Sequence, residues 1–245
     1  MGWLTLFCFL TGFSSQLSDK EILRNFEIIA FGNEYTSEKF SRVRKWAAPI
    51  RMGIKGKYPD HFERNVRRQA KDLQEITGHP IELYYSHGMQ KKGLLAKDFD
   101  KKKVNVILYY LPKKAIPKAL LQYFNNDRAE VDRMIRNSTC FAKYFRRKNE
   151  IRAAVVVFPS HLPEDISRAC VVEELTQIMG LPNDSDLVKP SIFSDTSLYR
   201  ELTGQDKILL KILYDPRISF NMRRDKALEK AMVILHDLRQ GRRDK

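Results

Sequence analysis

Apolar and polar positions repeat with two different periods along this chain. In "KWAAPIRMGIKG", residues 45–56, Ile50, Met52 and Ile54 alternate with Arg51, Gly53 and Lys55, which predicts a half-buried strand. In "PDHFERNVRRQAKDLQEITG" the positions Phe62, Val66, Ala70, Leu73 and Ile76 recur every three or four residues. That predicts an amphipathic helix begun at Asp60 and stopped by Gly78. β-Branched and aromatic residues crowd "PIELYYS" (80–86) and "KVNVILYYLP" (103–112), and both read as strands. The continuous apolar run "IRAAVVVFP" (151–159) reads as a central strand buried on both faces. Ahead of these, "DKEILRNFEIIAFG" is a short helix or strand ending at Gly32. Between residues 113 and 147, "AIPKALLQYF" and "DRAEVDRMIRN" have helical spacing interrupted at Asn125 and Asn126. A long helix is predicted over 165–179 and stopped by Gly180, then a loop, then two more helices over "GQDKILLKILYD" and "DKALEKAMVILHDLR". With no internal repeat, low-complexity tract or flexible linker, residues 18–245 read as one domain of mixed α and β structure.

Charge adds a surface property. Lys and Arg number 44 against 30 Asp and Glu, a net charge of +14. Such a field draws acidic polymers, anionic head groups or nucleic acid. The basic residues are spread over the whole chain, and no zinc-finger, basic-zipper or RNP-like pattern concentrates them, so a specific nucleic-acid site is not indicated. The opening "MGWLTLFCFLTGFSS" holds an apolar run from Trp3 to Phe13. A helix needs roughly 20 such residues to cross a bilayer, so the run matches the core of a secretory signal, although no Lys or Arg precedes it. The expectation is a signal peptide or N-terminal anchor over 1–17 and a periplasmic or secreted chain, free or tethered to the membrane by a retained leader. Cys8 would leave with a cleaved leader, and Cys140 and Cys170 remain. They form either one disulfide, closing a loop of about 30 residues and contributing ~3 kcal/mol, or two buried thiols.

The candidate chemistry lies on the helix "ISRACVVEELTQIM", residues 166–179, which is apolar nearly all round and therefore predicted to be buried. Glu173 and Gln177, four apart, share a face, and Glu174 stands beside them. Buried carboxylates are costly unless paired, hydrogen-bonded or metal-bound, and the chain offers many Arg and Lys partners. "EELTQIMGLPND" (173–184) has the spacing of the zincin motif H-E-x-x-H-x-x-G-x-x-H. The central Glu is Glu174 and the turning Gly is Gly180. The three His positions hold Glu173, Gln177 and Asn183, the last followed by Asp184.

This stretch, with "SIFSDTS", "LTGQDKILLKILYDPR", Met222 and the earlier "RKWAAPIRMGIKG", resembles domain of unknown function 2927, a family of exported bacterial proteins grouped with zincin-like peptidases. The resemblance spans residues 40–230. It implies an α+β, zincin-like fold: a mixed, mainly parallel sheet of four or five strands, packed helices and a degenerate active-site helix beneath a cleft. It also implies a Cys140–Cys170 disulfide. The family places Gly before the last Met, where this chain has Asn221, which leaves the tight turn there in question.

Three functional readings follow. An atypical metallopeptidase-like hydrolase would use Glu174 as general base and Glu173, Gln177 and Asn183 or Asp184 as oxygen ligands. Such a set suits calcium, magnesium or manganese better than zinc, and a conventional zinc protease is not indicated. A metal-free acid pair drawn from Glu173, Glu174 and Asp184, with Gln177 orienting a water, would suit glycan hydrolysis. In the favoured reading the polar residues only brace the loop at Asn183 and Asp184. The chain is then a non-catalytic binding module of the cell envelope, with an anionic polymer or a peptide as partner. The histidines at 61, 79, 87, 161 and 236 all lie off this helix.

Overall fold

The computed structural model describes residues 17–33, 39–194 and 199–243. Apart from Leu17, the expected leader lies outside them. The first element is a helix, α1 (Asp19–Phe31), opened by a reciprocal cap in which Ser18 and Glu21 each satisfy the other's backbone N–H. Its Ile22, Phe26 and Ile29 fall on one buried stripe, and that 3.6-residue period settles the choice between helix and strand.

The strand expected over 45–56 is two strands. β1 (Lys45–Trp46) and β2 (Ile50–Gly56) are separated by Pro49, whose ring offers no N–H to a ladder. Asn105 bridges the break, donating to the Pro49 carbonyl at 2.8 Å and accepting the Arg51 N–H at 2.8 Å. Helix α2 (Asp60–Thr77) ends at Gly78 in the left-handed conformation, as expected from its sequence. β3 (Ile81–Tyr85), the short α3 (His87–Lys91) and β4 (Val106–Leu111) follow. Then come α4 (Ile116–Tyr123) and α5 (Arg128–Asn137).

β5 (Phe141–Arg147) falls where only helical spacing was read. It folds back antiparallel on β6 (Glu150–Pro159). Lys148 and Asn149 between them take positive φ values of 49° and 66°, as tight hairpin turns require. The chain closes with α6 (Glu164–Gln177), α7 (Gly204–Tyr214) and α8 (Arg224–Arg243).

The architecture is α+β with a mainly parallel sheet. β2 pairs in parallel with β3 and β4, and β4 with β6. β6 also pairs in parallel with β1 at its start and antiparallel with β5. The sheet has six strands, more than the four or five expected, because β1 and β5 were not separated in the sequence. β6 is covered on both faces. Ala154, Val156 and Phe158 join the large core with α2 and α6, and Val155 and Val157 join a smaller one with Leu120, Val131 and Phe141.

One short segment fastens three helix ends. The last carbonyls of a helix have no partner within it. Arg44 Nη2 donates to Ala30 O in the last turn of α1 at 2.6 Å. Lys45 Nζ donates to Leu213 O near the end of α7 at 3.0 Å. Trp46 Nε1 donates to Ile178 O just past α6 at 2.7 Å. The next residue of α6's exit, Met179, has its carbonyl taken by the Tyr214 hydroxyl at 2.9 Å. Gly180 then turns the chain with φ +111°, and a Cβ there would stand 2.1 Å from the Arg44 carbonyl oxygen. Asn221 adopts φ 65°, a conformation Asn tolerates among non-glycine residues, so the turn before Met222 is kept.

Two glycine substitutions separate conformation from contact. Gly78→Ala meets nothing within 4 Å, so it is expected to cost only the left-handed backbone penalty of about 1–2 kcal/mol. Gly180→Ala adds a clash with backbone and is expected to cost at least ~3 kcal/mol. Urea midpoints check the order, and equal losses would show that the Arg44–Gly180 approach carries no energy.

Candidate functional site

α6, β5 and the loop after α6 enclose a cavity of about 890 Å³. The helix is buried on nearly every side, as its apolar circumference predicts. Its Val171, Val172 and Leu175 pack into the interior, and Gln69 of α2 reaches across to Val172 O and Thr176 Oγ1 at 3.3 and 3.1 Å. Glu173, Glu174 and Gln177 are left facing the cavity. Glu173 is half-buried, while Glu174 and Gln177 are 5% and 4% exposed.

Gln177 holds the floor of the site. Its amide nitrogen donates to both carboxylate oxygens of Asp184, at 2.9 Å each, and ties the loop back onto the helix. Asn183 turns the other way, with Nδ2 donating to Ile28 O in α1 at 3.0 Å. Its side chain fills the space beside Gly32, where a Cβ would come within 2.4 Å of Nδ2. Four of the predicted residues, Glu173, Glu174, Gln177 and Asp184, therefore meet at one cavity, whereas Asn183 braces α1.

This donor set does not fit a bound divalent cation. Gln177 presents an N–H donor to Asp184, and Asn183 is engaged elsewhere. Among the described residues no group of three or more His, Cys, Asp or Glu stands close enough to hold an ion. None of the five histidines is among the described residues that line the cavity.

The opposite wall is β5, which sequence reasoning missed. Cys140, just before β5, is bonded to Cys170 of α6, so a disulfide spans the cavity's two walls. Alternation along β5 divides its side chains. Phe141 packs into the smaller core, while Ala142 and Tyr144 face the large core and α6. Among the described residues β5 pairs only with β6, and no described strand lies along its other edge. The cavity follows this strand, being lined by α5 on one side and α6 on the other. Lys143 on β5 donates to Phe124 O, and burial pushes its pKa down. The signal for β5 lay in "FAKYFRR", whose period of two is blurred by a basic end.

Comparison with known families places the chain. The sequence model of a family described as "Protein of unknown function (DUF2927)" matches residues 19–231. The chain belongs to the DUF2927 family. For this DUF2927 chain, searches of curated proteins and of solved structures gave no match. The match begins at the first residue of α1 and runs into α8, so it includes every wall of the cavity.

Gln177→Glu tests the floor of the site. A second carboxylate against Asp184 is expected to cost about 2 kcal/mol at pH 7. One carboxyl of such a pair has its pKa raised, so the folded state binds the extra proton and the deficit shrinks as pH falls through that raised pKa. Melting temperatures of wild type and variant at pH 7.5 and pH 4.5 check this, and an unchanged deficit would remove the Gln177–Asp184 bond as its cause.

Proposed function

We propose that this DUF2927 chain is an exported, non-catalytic binding module with a zincin-like frame, and that its cleft takes an extended peptide along β5. The observation that carries the reading is that β5, an edge strand among the described residues, lines the cavity. An edge strand binds an extended segment through main-chain hydrogen bonds, and neighbouring pockets supply selectivity. The disulfide across the cleft supports a fixed width and an oxidising compartment. The order β2, α2, β3, β4, β5, β6, α6, with α3, α4 and α5 set between strands, supports the zincin-like frame, as does the retained Glu174 with Gly180. Non-catalysis is supported by the hydrogen bond that joins Gln177 to Asp184 where a metallopeptidase would gather ligands. Residues 18–245 then act as one module, and the net charge of +14 favours residence beside anionic envelope polymers.

A hydrolase that uses Glu174 as general base is the second reading. It is favoured by the burial of that carboxylate on the cavity wall. The experiment pairs binding with turnover. Mixed-sequence fluorescent peptides are titrated into protein dialysed against EDTA, and cleavage of the same peptides is followed by mass spectrometry. Micromolar binding that survives chelation, with intact peptides and an unchanged Kd for Glu174→Gln, is the expected result. Cleavage that Glu174→Gln abolishes in a still-folded chain would replace the binding module with the hydrolase.

A further inference from the structure

Arg44 is a buried cation whose counter-charge is not found among the described residues. Its residue is 1% exposed. Nη2 donates to Ala30 O, and Nε and Nη1, which together carry three N–H donors, are buried without an acceptor. Among the described residues no carboxylate stands within ion-pair distance of it. Burial lowers its pKa to about 10, with Tyr144 opposing and Arg146 adding to the fall, so it remains charged at neutral pH. A Lys would cap α1 through one donor equally well, so capping does not account for the rest of the guanidinium. Leaving a charge buried and unpaired costs several kcal/mol.

Its position supplies the explanation. The guanidinium carbon lies 3.1 Å above the Phe40 ring and 5.9 Å from the Tyr144 ring, and both rings line the cavity. Phe40 is half-buried, so the ring stacked on the cation also reaches the cavity. The planar fork of a guanidinium matches the two oxygens of a carboxylate. Arg146, exposed, also lines the cavity, as do Arg133, Lys143, Glu130, Glu173, Glu174 and Asp184.

We propose that Arg44 is the receptor for a carboxylate of the cleft's ligand, reached when the Phe40 ring swings aside. The inference rests on reading the cavity as a peptide cleft and adds the chemistry that orients the peptide: a free carboxylate, as at a C-terminus, directed to the Arg44 end.

The test uses sodium benzoate and sodium acetate as probes against sodium chloride at equal ionic strength, read as melting temperature. Wild type is expected to gain about 2 °C or more in carboxylate at concentrations several times Kd, and Arg44→Met to gain nothing over chloride. If Arg44→Met does not fold, Phe40→Ala replaces it and is expected to respond at lower carboxylate concentration. Equal responses in chloride and carboxylate, or an equal carboxylate response in Arg44→Met, overturn the proposal. A larger response to inorganic phosphate than to carboxylate overturns the planar-anion assignment. Peptides ending in a free acid are expected to bind at least about tenfold more tightly than their amides. Equal binding of acid and amide sinks the Arg44 receptor and leaves the peptide cleft standing. A carboxylate response without peptide binding does the reverse.

Discussion

Helix ends are weak points, because their last carbonyls find no partner inside the helix, and this structure meets that constraint with three consecutive residues. Arg44, Lys45 and Trp46 donate to Ala30, Leu213 and Ile178, which lie at the C-terminal ends of α1, α7 and α6. Two of the donors are cations placed at the negative ends of helix dipoles, where they are favoured. The same segment forms β1 and pairs with the start of β6, so the helices are registered to the sheet through one stretch of backbone. Its geometry also explains Gly180, since the Arg44 carbonyl occupies the space a side chain would need.

The cleft follows from this anchoring. With the exit of α6 held at Ile178 and Met179, the chain turns at Gly180 and brings Asp184 back beside Gln177. Asn183, one residue earlier, points to α1 and fixes the loop from its other side. Neighbouring loop residues thus have opposite duties, one facing the cavity and one supporting it. The far wall is held independently by the disulfide and by the β5–β6 pairing. Both walls are braced, and β5 and the half-buried Phe40 line the space between them.

Elements with a strong single period were legible from residue types. α2 shows its stripe and its terminal Gly, and the both-sided burial of β6 follows from an unbroken apolar run. The burial of α6 and the meeting of Glu173, Glu174 and Gln177 on one wall followed from helical spacing. β5 was not legible, because an edge strand with one end in solvent carries charges on both faces and owes its form to pairing with β6. The role of Asn183 was also hidden, since spacing places it beside Asp184 while its partner Ile28 lies 155 residues away.

The sequence by itself determined the local periods, the turn glycines and which polar side chains would share the buried helix. These depend on backbone conformation and on neighbours three or four residues apart. Tertiary structure alone decided what those polar groups face. It turned Gln177's nitrogen onto Asp184, set β5 as the opposite wall and enclosed Arg44 between Phe40 and Tyr144. The physical reason is that hydrogen-bond partners and buried charges are settled by groups distant in the chain, whose approach no local pattern encodes.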